Sequence, residues 1–261
     1  MPKIARYAIG GAVHYGVLED DVLQRLAGTP FDGLVLSGET DALSDARLLC
    51  PLDAPRVFGV GANYVAHIAE MGMATPTRPM LFMKPDNAVI GPGAAVVLPH
   101  EASVTHYEAE LAVVIGRTAR RVPEDSAREV ILGYTCANDI SERVIQKEEM
   151  DQGCLLIGKG YDTFCPLGPV IATDLDPGAL LLEARLNGET RQSSSTSDLL
   201  FSVETLVSYL SRAITLRPGD VVITGTPSGV GEIAPGDRME IELEAVGILA
   251  NPVVAEDGHS R

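Results

Sequence analysis

The pattern of apolar and polar positions predicts a chain built mostly of β-strands. Residues 180–186 alternate between apolar and polar side chains and lead into Asn187-Gly188, a dipeptide that favours a tight hairpin turn. Residues 221–224 carry apolar side chains for both faces of a sheet, which predicts a central strand. Residues 238–244 alternate strictly, so we expect a strand with one exposed face.

Helical periodicity is confined to a few segments. We expect helices at about residues 64–72, 124–132 and 203–215, the last with an apolar stripe and with Ser202 as its N-cap. Few helices among many strands indicate a β-rich α+β fold rather than a doubly wound one.

Two prolines indicate where the chain divides. Pro51 and Pro55 bracket a stiff connector, because proline fixes its own backbone angle and restricts the residue before it. We therefore predict a small N-terminal domain at residues 1–55 and a larger domain at residues 56–261.

Local composition suggests further strands and two irregular segments. Short strands are expected at residues 7–11 and 13–18, followed by a polar stretch at residues 37–45. The serine-rich residues 193–197 are expected to form a mobile loop.

Composition and charge narrow the possible functions. The chain has 261 residues, of which 46% are hydrophobic, enough for a large buried core. Lys and Arg number 20 against 36 Asp and Glu, which gives a net charge of −16, and aromatic residues make up 5% with no Trp. A net negative charge of this size repels nucleic-acid backbones and anionic membranes, so we expect neither as a partner. An anionic substrate would need a local positive group.

The cysteines and the N-terminal residues bear on where in the cell the protein is expected. The four cysteines have neither zinc-ribbon spacing nor a C-x-x-C pair. The N-terminus does not resemble a secretory signal, and no run of about 18 apolar residues occurs. We therefore expect reduced thiols in a soluble, cytoplasmic protein.

Three acidic residues form the first candidate site. In residues 106–116 the two-residue period of a strand places Glu108 and Glu110 on one face. The positions after Glu110 are apolar, so this strand should be covered on both sides and its glutamates at least partly buried. Asp139 follows an apolar segment at a polar turn. Buried carboxylates repel one another and lose hydration, and a divalent cation would compensate for both effects.

The ligand type indicates which ion such a site would bind. Carboxylates without a cysteine partner suit hard ions such as Mg²⁺ or Mn²⁺. Spacing alone leaves a metal site and a metal-free acidic cluster equally open. His106 is in phase with the two glutamates and could bind iron or zinc, but a hydrogen bond at the start of the strand is the favoured interpretation.

A second candidate lies in residues 61–72. Asn63 is a good N-cap, and His67 and Glu70 at i and i+3 would then share one helix face. A histidine held by a glutamate can act as a general base that deprotonates water near neutral pH. On spacing alone, an incidental pair on a surface helix is the favoured interpretation.

Two lysines and a glycine-rich segment complete the candidates. Lys84 and Lys159 each end an apolar run and could supply the cation that a carboxylate substrate requires, although for each lysine taken alone an exposed position at a strand end is the favoured interpretation. Residues 224–231 are rich in glycine but match no nucleotide-binding loop, and Ser228 does not lie in a serine-hydrolase elbow.

Several short motifs occur in a specific order between about residues 56 and 246. They are Asn63-Tyr64-x-x-His67-x-x-Glu70, Phe82-Met83-Lys84-Pro85, Glu108-x-Glu110-Leu111, Asn138-Asp139, Gly158-Lys159, Asn187-Gly188-Glu189 and Thr224-Gly225-Thr226-Pro227-x-Gly229-Val230-Gly231. Together they resemble the fumarylacetoacetate hydrolase family, in particular its small acylpyruvases, oxaloacetate decarboxylases and hydroxy-diene-dioate isomerases. The resemblance implies a mixed β-sandwich roll that forms a homodimer.

The resemblance also implies a metal site. It implies that Glu108, Glu110 and Asp139 hold Mg²⁺ or Mn²⁺, which chelates the 2-oxo and carboxylate oxygens of a small 2-oxo acid substrate and acts as a Lewis acid.

Roles for the other candidates follow from the same resemblance. His67 and Glu70 are similar to the family's water-activating dyad on a lid helix, and Lys159 to its catalytic lysine, which neutralises developing oxyanion charge. The side chains implied to face the substrate are Lys84, Arg143, Gln146 and Thr226.

The expected reaction is metal-dependent hydrolysis of a carbon–carbon bond in acylpyruvate-like 1,3-diketo acids. Decarboxylation or keto–enol isomerisation of 2-oxo dicarboxylates is the alternative, and a non-catalytic protein that keeps the fold is a third hypothesis. Many relatives have Arg-Asp where this chain has Arg143-Val144. That difference leaves the implied metal ligands in place but affects how Arg143 is oriented, and so which substrate fits.

Overall fold

The computed structural model describes residues 1–257 and confirms the β-rich α+β class. The strands are β1 (Lys3–Ile9), β2 (Ala12–Glu19), β3 (Val22–Leu26), β4 (Leu36–Ala42), β5 (Arg47–Leu48), β6 (Val57–Gly61), β7 (Met80–Lys84), β8 (Val89–Ile90), β9 (Val96–Leu98), β10 (Thr105–Tyr107), β11 (Ala109–Ile115), β12 (Ile131–Asn138), β13 (Ser141–Glu142), β14 (Cys165–Ala172), β15 (Leu181–Leu186), β16 (Glu189–Ser195), β17 (Val221–Ile223), β18 (Gly231–Glu232), β19 (Arg238–Leu243) and β20 (Gly247–Ala255). The α-helices are α1 (Val65–Glu70), α2 (Arg143–Asp151), α3 (Ile157–Gly160) and α4 (Val203–Ala213).

The strands form three sheets. The largest has 12 strands in the order β4-β3-β2-β1-β14-β12-β11-β17-β6-β7, with β5 beside β1 and β8 beside β14. Most of its pairs are antiparallel, but β17 runs parallel to β6 and β8 parallel to β14, so the sheet is mixed. A 5-stranded sheet has the order β16-β15-β19-β20-β9, and a 3-stranded one the order β13-β10-β18.

Strand β11 lies between two apolar cores. On one face, Leu111 and Val113 pack in a cluster that includes Leu182 and Ile241 of the 5-stranded sheet. On the other face, Val114 belongs to a second cluster. The prediction that this strand is covered on both sides is therefore confirmed. A shift of one residue would exchange the two sets of side chains, so this packing fixes which way Glu110 points.

The predicted hairpin and the two later strands are also confirmed. β15 and β16 join at Asn187-Gly188, with Leu186 paired to Glu189. The φ angles of the two turn residues are 54° and 83°, values that Asn and Gly tolerate. Strand β17 is buried between β11 and β6, whereas β19 alternates buried and partly exposed positions.

The N-terminal strands continue the largest sheet. β1 pairs with β2 and also with β14, where Ile4 lies opposite Ile171. The polar stretch contains strand β4, which pairs with β3 at the sheet edge. Because β4 is exposed on both faces, it needs no apolar pattern, and this strand was therefore not predicted. The division of the chain at residue 55 stays a prediction.

The expectation of a mobile serine-rich loop was wrong. Ser193–Ser195 belong to β16 and pair with β15. The next residue, Thr196, is buried, and its Oγ1 accepts a hydrogen bond from the Leu180 N–H at 2.8 Å and donates to the Pro177 carbonyl at 2.5 Å. Strand pairing and these buried hydrogen bonds override the polar composition.

Two of the three predicted helices are α-helices. α1 and α4 lie within the expected ranges, and Ser202 Oγ caps α4 by accepting from the Thr205 N–H at 3.2 Å. Glu124–Val130 forms a 3₁₀ helix rather than an α-helix. Helices α2 and α3 were not predicted, because α2 buries none of its residues and so lacks an apolar stripe, and α3 has only four residues. None of the helices in residues 1–257 is long and apolar enough to cross a membrane.

Candidate metal centre and active site

Three carboxylates converge where β11 and β12 pair. Ala109 lies opposite Asn138, so the residues that flank this pair, Glu108, Glu110 and Asp139, come together, and the Asp139 N–H donates to the Glu108 carbonyl at 2.9 Å. One carboxylate oxygen from each of these three acidic residues lies within 4.8 Å of the others. We call Glu108, Glu110 and Asp139 the acidic triad. The structure thus brings together the three residues that the sequence proposed as metal ligands.

The acidic triad is buried. Glu108, Glu110 and Asp139 are 5%, 1% and 0% exposed, respectively. Glu108 lies at the break between β10 and β11, and its N–H donates to Asn138 Oδ1 at 3.0 Å. This bond fixes the chain where it passes from the 3-stranded sheet to the 12-stranded sheet.

Three cations compensate for part of the negative charge. Lys159 Nζ donates to Glu108 Oε2 at 2.7 Å and to Asp139 Oδ2 at 2.6 Å. Lys84 Nζ donates to Asp139 Oδ1 at 2.5 Å, and Arg143 Nη2 lies 2.7 Å from Glu108 Oε1. Both lysines are buried, so the favoured interpretation of exposed lysines at strand ends was wrong. An anionic ligand needs local positive charge because the chain as a whole is strongly negative. These three side chains supply that positive charge at the site.

The compensation is uneven across the acidic triad. Burial by itself would raise the pKa of Glu108, but Lys159 and Arg143 lower this pKa below its ordinary value. Burial, together with the charges of Asp139 and Glu108, raises the pKa of Glu110 well above its ordinary value. Within residues 1–257 no cation pairs with Glu110, whose Oε2 accepts from the Gly225 N–H at 2.6 Å. Its charge is the one that a bound cation would relieve most.

The lysine between two carboxylates shows the opposite balance. Burial would lower the pKa of Lys159, but the charges of Asp139 and Glu108 raise it above its ordinary value. Lys159 is therefore a stable ammonium group inside the site. Its Nζ also lies 5.1 Å from the ring centroid of Phe82, within cation–π range.

His67 and Glu70 form a hydrogen-bonded pair on α1. His67 Nδ1 lies 2.8 Å from Glu70 Oε2, and Glu70 Oε1 accepts from the Gly229 N–H at 2.9 Å. Because a carboxylate accepts hydrogen bonds, His67 Nδ1 donates and Nε2 of the neutral ring keeps its lone pair. His67 is 8% exposed whereas Glu70 is exposed, so the histidine of this pair does not lie on the surface.

Helix α1 is held in place by Asn63 and by the glycine-rich segment. Asn63 is not the N-cap, because its Nδ2 donates to the carbonyls of Thr224 at 2.7 Å and Phe201 at 3.1 Å, and its Oδ1 accepts from the Phe201 N–H at 2.8 Å. Tyr64 precedes the helix without a side-chain cap. Gly229 has a φ of 98°, and a Cβ there would lie 2.2 Å from the Arg191 carbonyl oxygen. Only glycine therefore fits at the position whose N–H donates to Glu70 of α1.

A cavity of about 780 Å³ joins these groups. Eight of the ten residues proposed from the sequence line it: His67, Glu108, Glu110, Asp139, Arg143, Gln146, Lys159 and Thr226. The other two act on lining residues, since Glu70 holds His67 and Lys84 holds Asp139. Gln146 Oε1 accepts from Arg143 Nη1 at 2.9 Å, which orients the guanidinium group.

The cavity is also lined by four methionines that the sequence did not indicate and by His106, which was considered as an iron or zinc ligand. Met71, Met73, Met80 and Met150 line the apolar part of the cavity, but they are scattered and give no periodic signal. His106 also lines it and is not among the converging ligands; burial and the charge of Arg143 lower its pKa.

Glu149 is a further residue that the sequence did not indicate. Its carboxylate accepts from the N–H groups of Leu156, Ile157 and Gly158 at 3.1, 2.7 and 3.0 Å. Burial would raise the pKa of Glu149, but these three donors lower it. Glu149 therefore ties α2 to the start of α3, the helix that carries Lys159.

Comparison with known protein families matches nearly the whole chain. The family model described as fumarylacetoacetate hydrolase C-terminal matches residues 56–254, and the model described as Rv2993c-like, N-terminal matches residues 3–51.

Similar proteins cover most of both chains. A crystal structure of a 5-carboxymethyl-2-hydroxymuconate delta-isomerase from Mycobacterium smegmatis is 44% identical, with a TM-score of 0.91, and covers 97% of this chain and 100% of its own. A maleylpyruvate hydrolase from Sphingobium sp. SYK-6, in complex with manganese and pyruvate, is 31% identical, with a TM-score of 0.81, over 98% of this chain and 100% of its own. A mitochondrial oxaloacetate tautomerase of Xenopus laevis is 38% identical over 81% of this chain and 69% of its own.

Proposed function

Because the chain belongs to the fumarylacetoacetate hydrolase family of enzymes, we propose that it is a divalent-metal-dependent enzyme acting on small 2-oxo acids. The observation that carries the proposal is that the acidic triad shares one cavity with His67. The maleylpyruvate hydrolase with manganese and pyruvate shows that a solved relative combines such an ion with a 2-oxo acid.

The acidic triad fits Mg²⁺ or Mn²⁺. Its donors are all carboxylate oxygens, which hard divalent ions prefer. Glu110 has no cationic partner among the described residues, so an ion would remove an unfavourable buried charge there. When bound, the ion would supply Lewis-acid stabilisation of negative charge on the 2-oxo and carboxylate oxygens of the substrate.

The chain's own residues suit hydrolysis of an acylpyruvate. His67, held by Glu70, takes a proton from water, whose oxygen then bonds to the acyl carbon. The bond from that carbon to carbon 3 breaks, its electron pair stays on carbon 3 as an enolate, and carbon 3 takes up a proton. The products are a carboxylic acid and pyruvate. Lys159 and Arg143 provide positive charge on the cavity wall for the oxygens that become negative.

A second candidate reaction is keto–enol isomerisation of 2-oxo dicarboxylates. It is favoured by the isomerase and tautomerase named among the relatives and by the cations Arg143 and Lys147, which line the cavity and could bind a second carboxylate. In this reaction His67 would move a proton between carbon 3 and the 2-oxo oxygen without water attack.

The proposal is tested with the full chain and several substrates. Acetylpyruvate, fumarylpyruvate and oxaloacetate are incubated with Mg²⁺, Mn²⁺ or EDTA, and the products are identified by NMR. Pyruvate formation from an acylpyruvate that stops in EDTA supports hydrolysis, whereas keto–enol exchange without chain cleavage supports isomerisation. Turnover that is unchanged by EDTA contradicts the metal-dependent function.

A further inference from the structure

Gln192 is a buried residue that connects the strand of the acidic triad to the segment of Thr226. It lies in β16 and is 1% exposed. Its Oε1 accepts from the N–H of Ala109, the residue between the two glutamates, at 2.9 Å. Its Nε2 donates to Thr226 Oγ1 at 2.7 Å and to the Pro227 carbonyl at 2.7 Å. This role was not predicted, since Gln192 directly precedes the serine-rich segment and lies in no motif.

The orientation of the Gln192 amide is fixed by backbone groups. The Ala109 N–H can only donate, so the amide atom that faces it must be the oxygen. The Pro227 carbonyl can only accept, so the amide atom that faces it must be the nitrogen. The amide cannot flip without leaving both buried partners unsatisfied, which is unfavourable.

This orientation determines the direction of the hydrogen bond to Thr226. A hydroxyl group has one proton to donate and lone pairs with which to accept. Thr226 Oγ1 accepts from Gln192, and no acceptor within residues 1–257 takes its proton. Thr226 also lines the cavity. Its proton is therefore left for a group inside the cavity.

We propose that Gln192 is a positioning residue that keeps the Thr226 hydroxyl a hydrogen-bond donor toward the carboxylate of an anionic substrate. The inference rests on the proposed function, since it assumes that a 2-oxo acid occupies the cavity. It adds a selection rule: the substrate group that faces Thr226 must be an acceptor. A ligand that presents only a donor there is disfavoured, because two donors would meet.

The test measures oxalate binding by calorimetry to the full chain saturated with Mn²⁺. In Gln192→Glu, one carboxylate oxygen still accepts from Ala109, but the other accepts the proton of Thr226 and withdraws it from the cavity. We expect the Kd for oxalate to rise about tenfold, the low end of the range for one hydrogen bond to a charged group. Gln152→Glu adds the same charge at an exposed position and should leave the Kd unchanged.

A double-mutant cycle separates positioning from a general effect of charge or fold. In a Thr226→Val background, Gln192→Glu should change the Kd for oxalate by less than about threefold, since no hydroxyl proton remains to be withdrawn. An equal tenfold loss in both backgrounds would overturn the role assigned to Gln192. Failure of the wild-type protein with Mn²⁺ to bind oxalate would instead contradict the proposed function itself.

A neutral variant covers the case in which Gln192→Glu does not fold, as judged by circular dichroism. Gln192→Met removes the donor without adding charge and leaves the hydroxyl free to rotate. We expect a smaller rise in Kd, about threefold, that is again absent in the Thr226→Val background. A rise of the same size in that background would count against the proposal.

Discussion

Replacing Glu110 with glutamine should stabilise the metal-free protein at neutral and alkaline pH. Glu110 is 1% exposed, and burial with the charges of Asp139 and Glu108 raises its pKa well above the ordinary value. Glutamine keeps an oxygen that can accept from the Gly225 N–H and removes the charge. Its amide protons could also donate to the neighbouring carboxylates, which a glutamate cannot do.

The direction of the pH dependence follows from the sign of the pKa shift. Below the ordinary value of 4.5, Glu110 is protonated in both the folded and the unfolded protein, and the unfavourable charge is absent. Stability is lost as the pH rises from there through the raised pKa of the folded state, by at most about 1.4 kcal/mol per pH unit. Glu108 has a lowered pKa, so it contributes stability above 4.5 that is lost as the pH falls through its folded value. The difference between wild type and variant isolates the Glu110 effect.

The assay is urea unfolding followed by circular dichroism from pH 4.5 to 8.5 in EDTA. Glu110→Gln should become more stable than the wild type as the pH rises, and Glu101→Gln, at an exposed position, should match the wild type throughout. With Mn²⁺ at 100 times its Kd the wild type should gain about 2.7 kcal/mol, and the variant much less. A variant that is less stable than the wild type in EDTA at every pH would refute this reasoning.

Three further predictions concern the surroundings of the acidic triad. His67→Asn should lower kcat by about 10²- to 10⁴-fold in steady-state assays while calorimetry shows unchanged Mn²⁺ affinity; full activity would exclude His67 as the base. Lys84→Met should lower the free energy of unfolding in EDTA by about 1.5–3 kcal/mol, because Asp139 loses one of its two buried lysine partners, and an unchanged urea midpoint would contradict this. Glu149→Gln should reduce kcat more than it raises KM, since the helix of Lys159 loses a charged acceptor, whereas a change in KM alone would argue against positioning.

The burial of the carboxylates could be predicted because local pattern and chemistry agreed, whereas the roles of the two lysines came only from the resemblance. The apolar run after Glu110 indicated a strand with two covered faces, and this burial distinguishes Glu110 from the glutamates of β19. The pairing of β11 with β12, which brings Asp139 beside Glu108, is a contact between distant parts of the chain. The sequence showed that Asp139 ends an apolar segment, but only the resemblance indicated which residues it would meet.

Other parts of the site could not be predicted for identifiable physical reasons. Helix α2 buries none of its residues, so its sequence has no stripe to indicate a helix. Gln192 accepts a hydrogen bond from a backbone group far along the chain, and Glu149 accepts from the backbone of the segment that connects α2 to α3. Neither kind of partner produces a residue spacing that could be recognised in the sequence. Asn63 was assigned as a cap because of its residue type. Its side chain instead makes three hydrogen bonds to the backbone of Phe201 and Thr224. The homodimer, the small-molecule substrate and the cytoplasmic location stay predictions.

The most direct test of the central claim is anomalous diffraction from crystals of the full chain grown with Mn²⁺ and oxalate. The account predicts one manganese peak that contacts an oxygen of Glu108, of Glu110 and of Asp139, each at about 2.1 Å. It also predicts that oxalate lies in the cavity within hydrogen-bonding distance of Thr226. Manganese bound elsewhere, with Lys159 still bridging Glu108 and Asp139, would contradict the account.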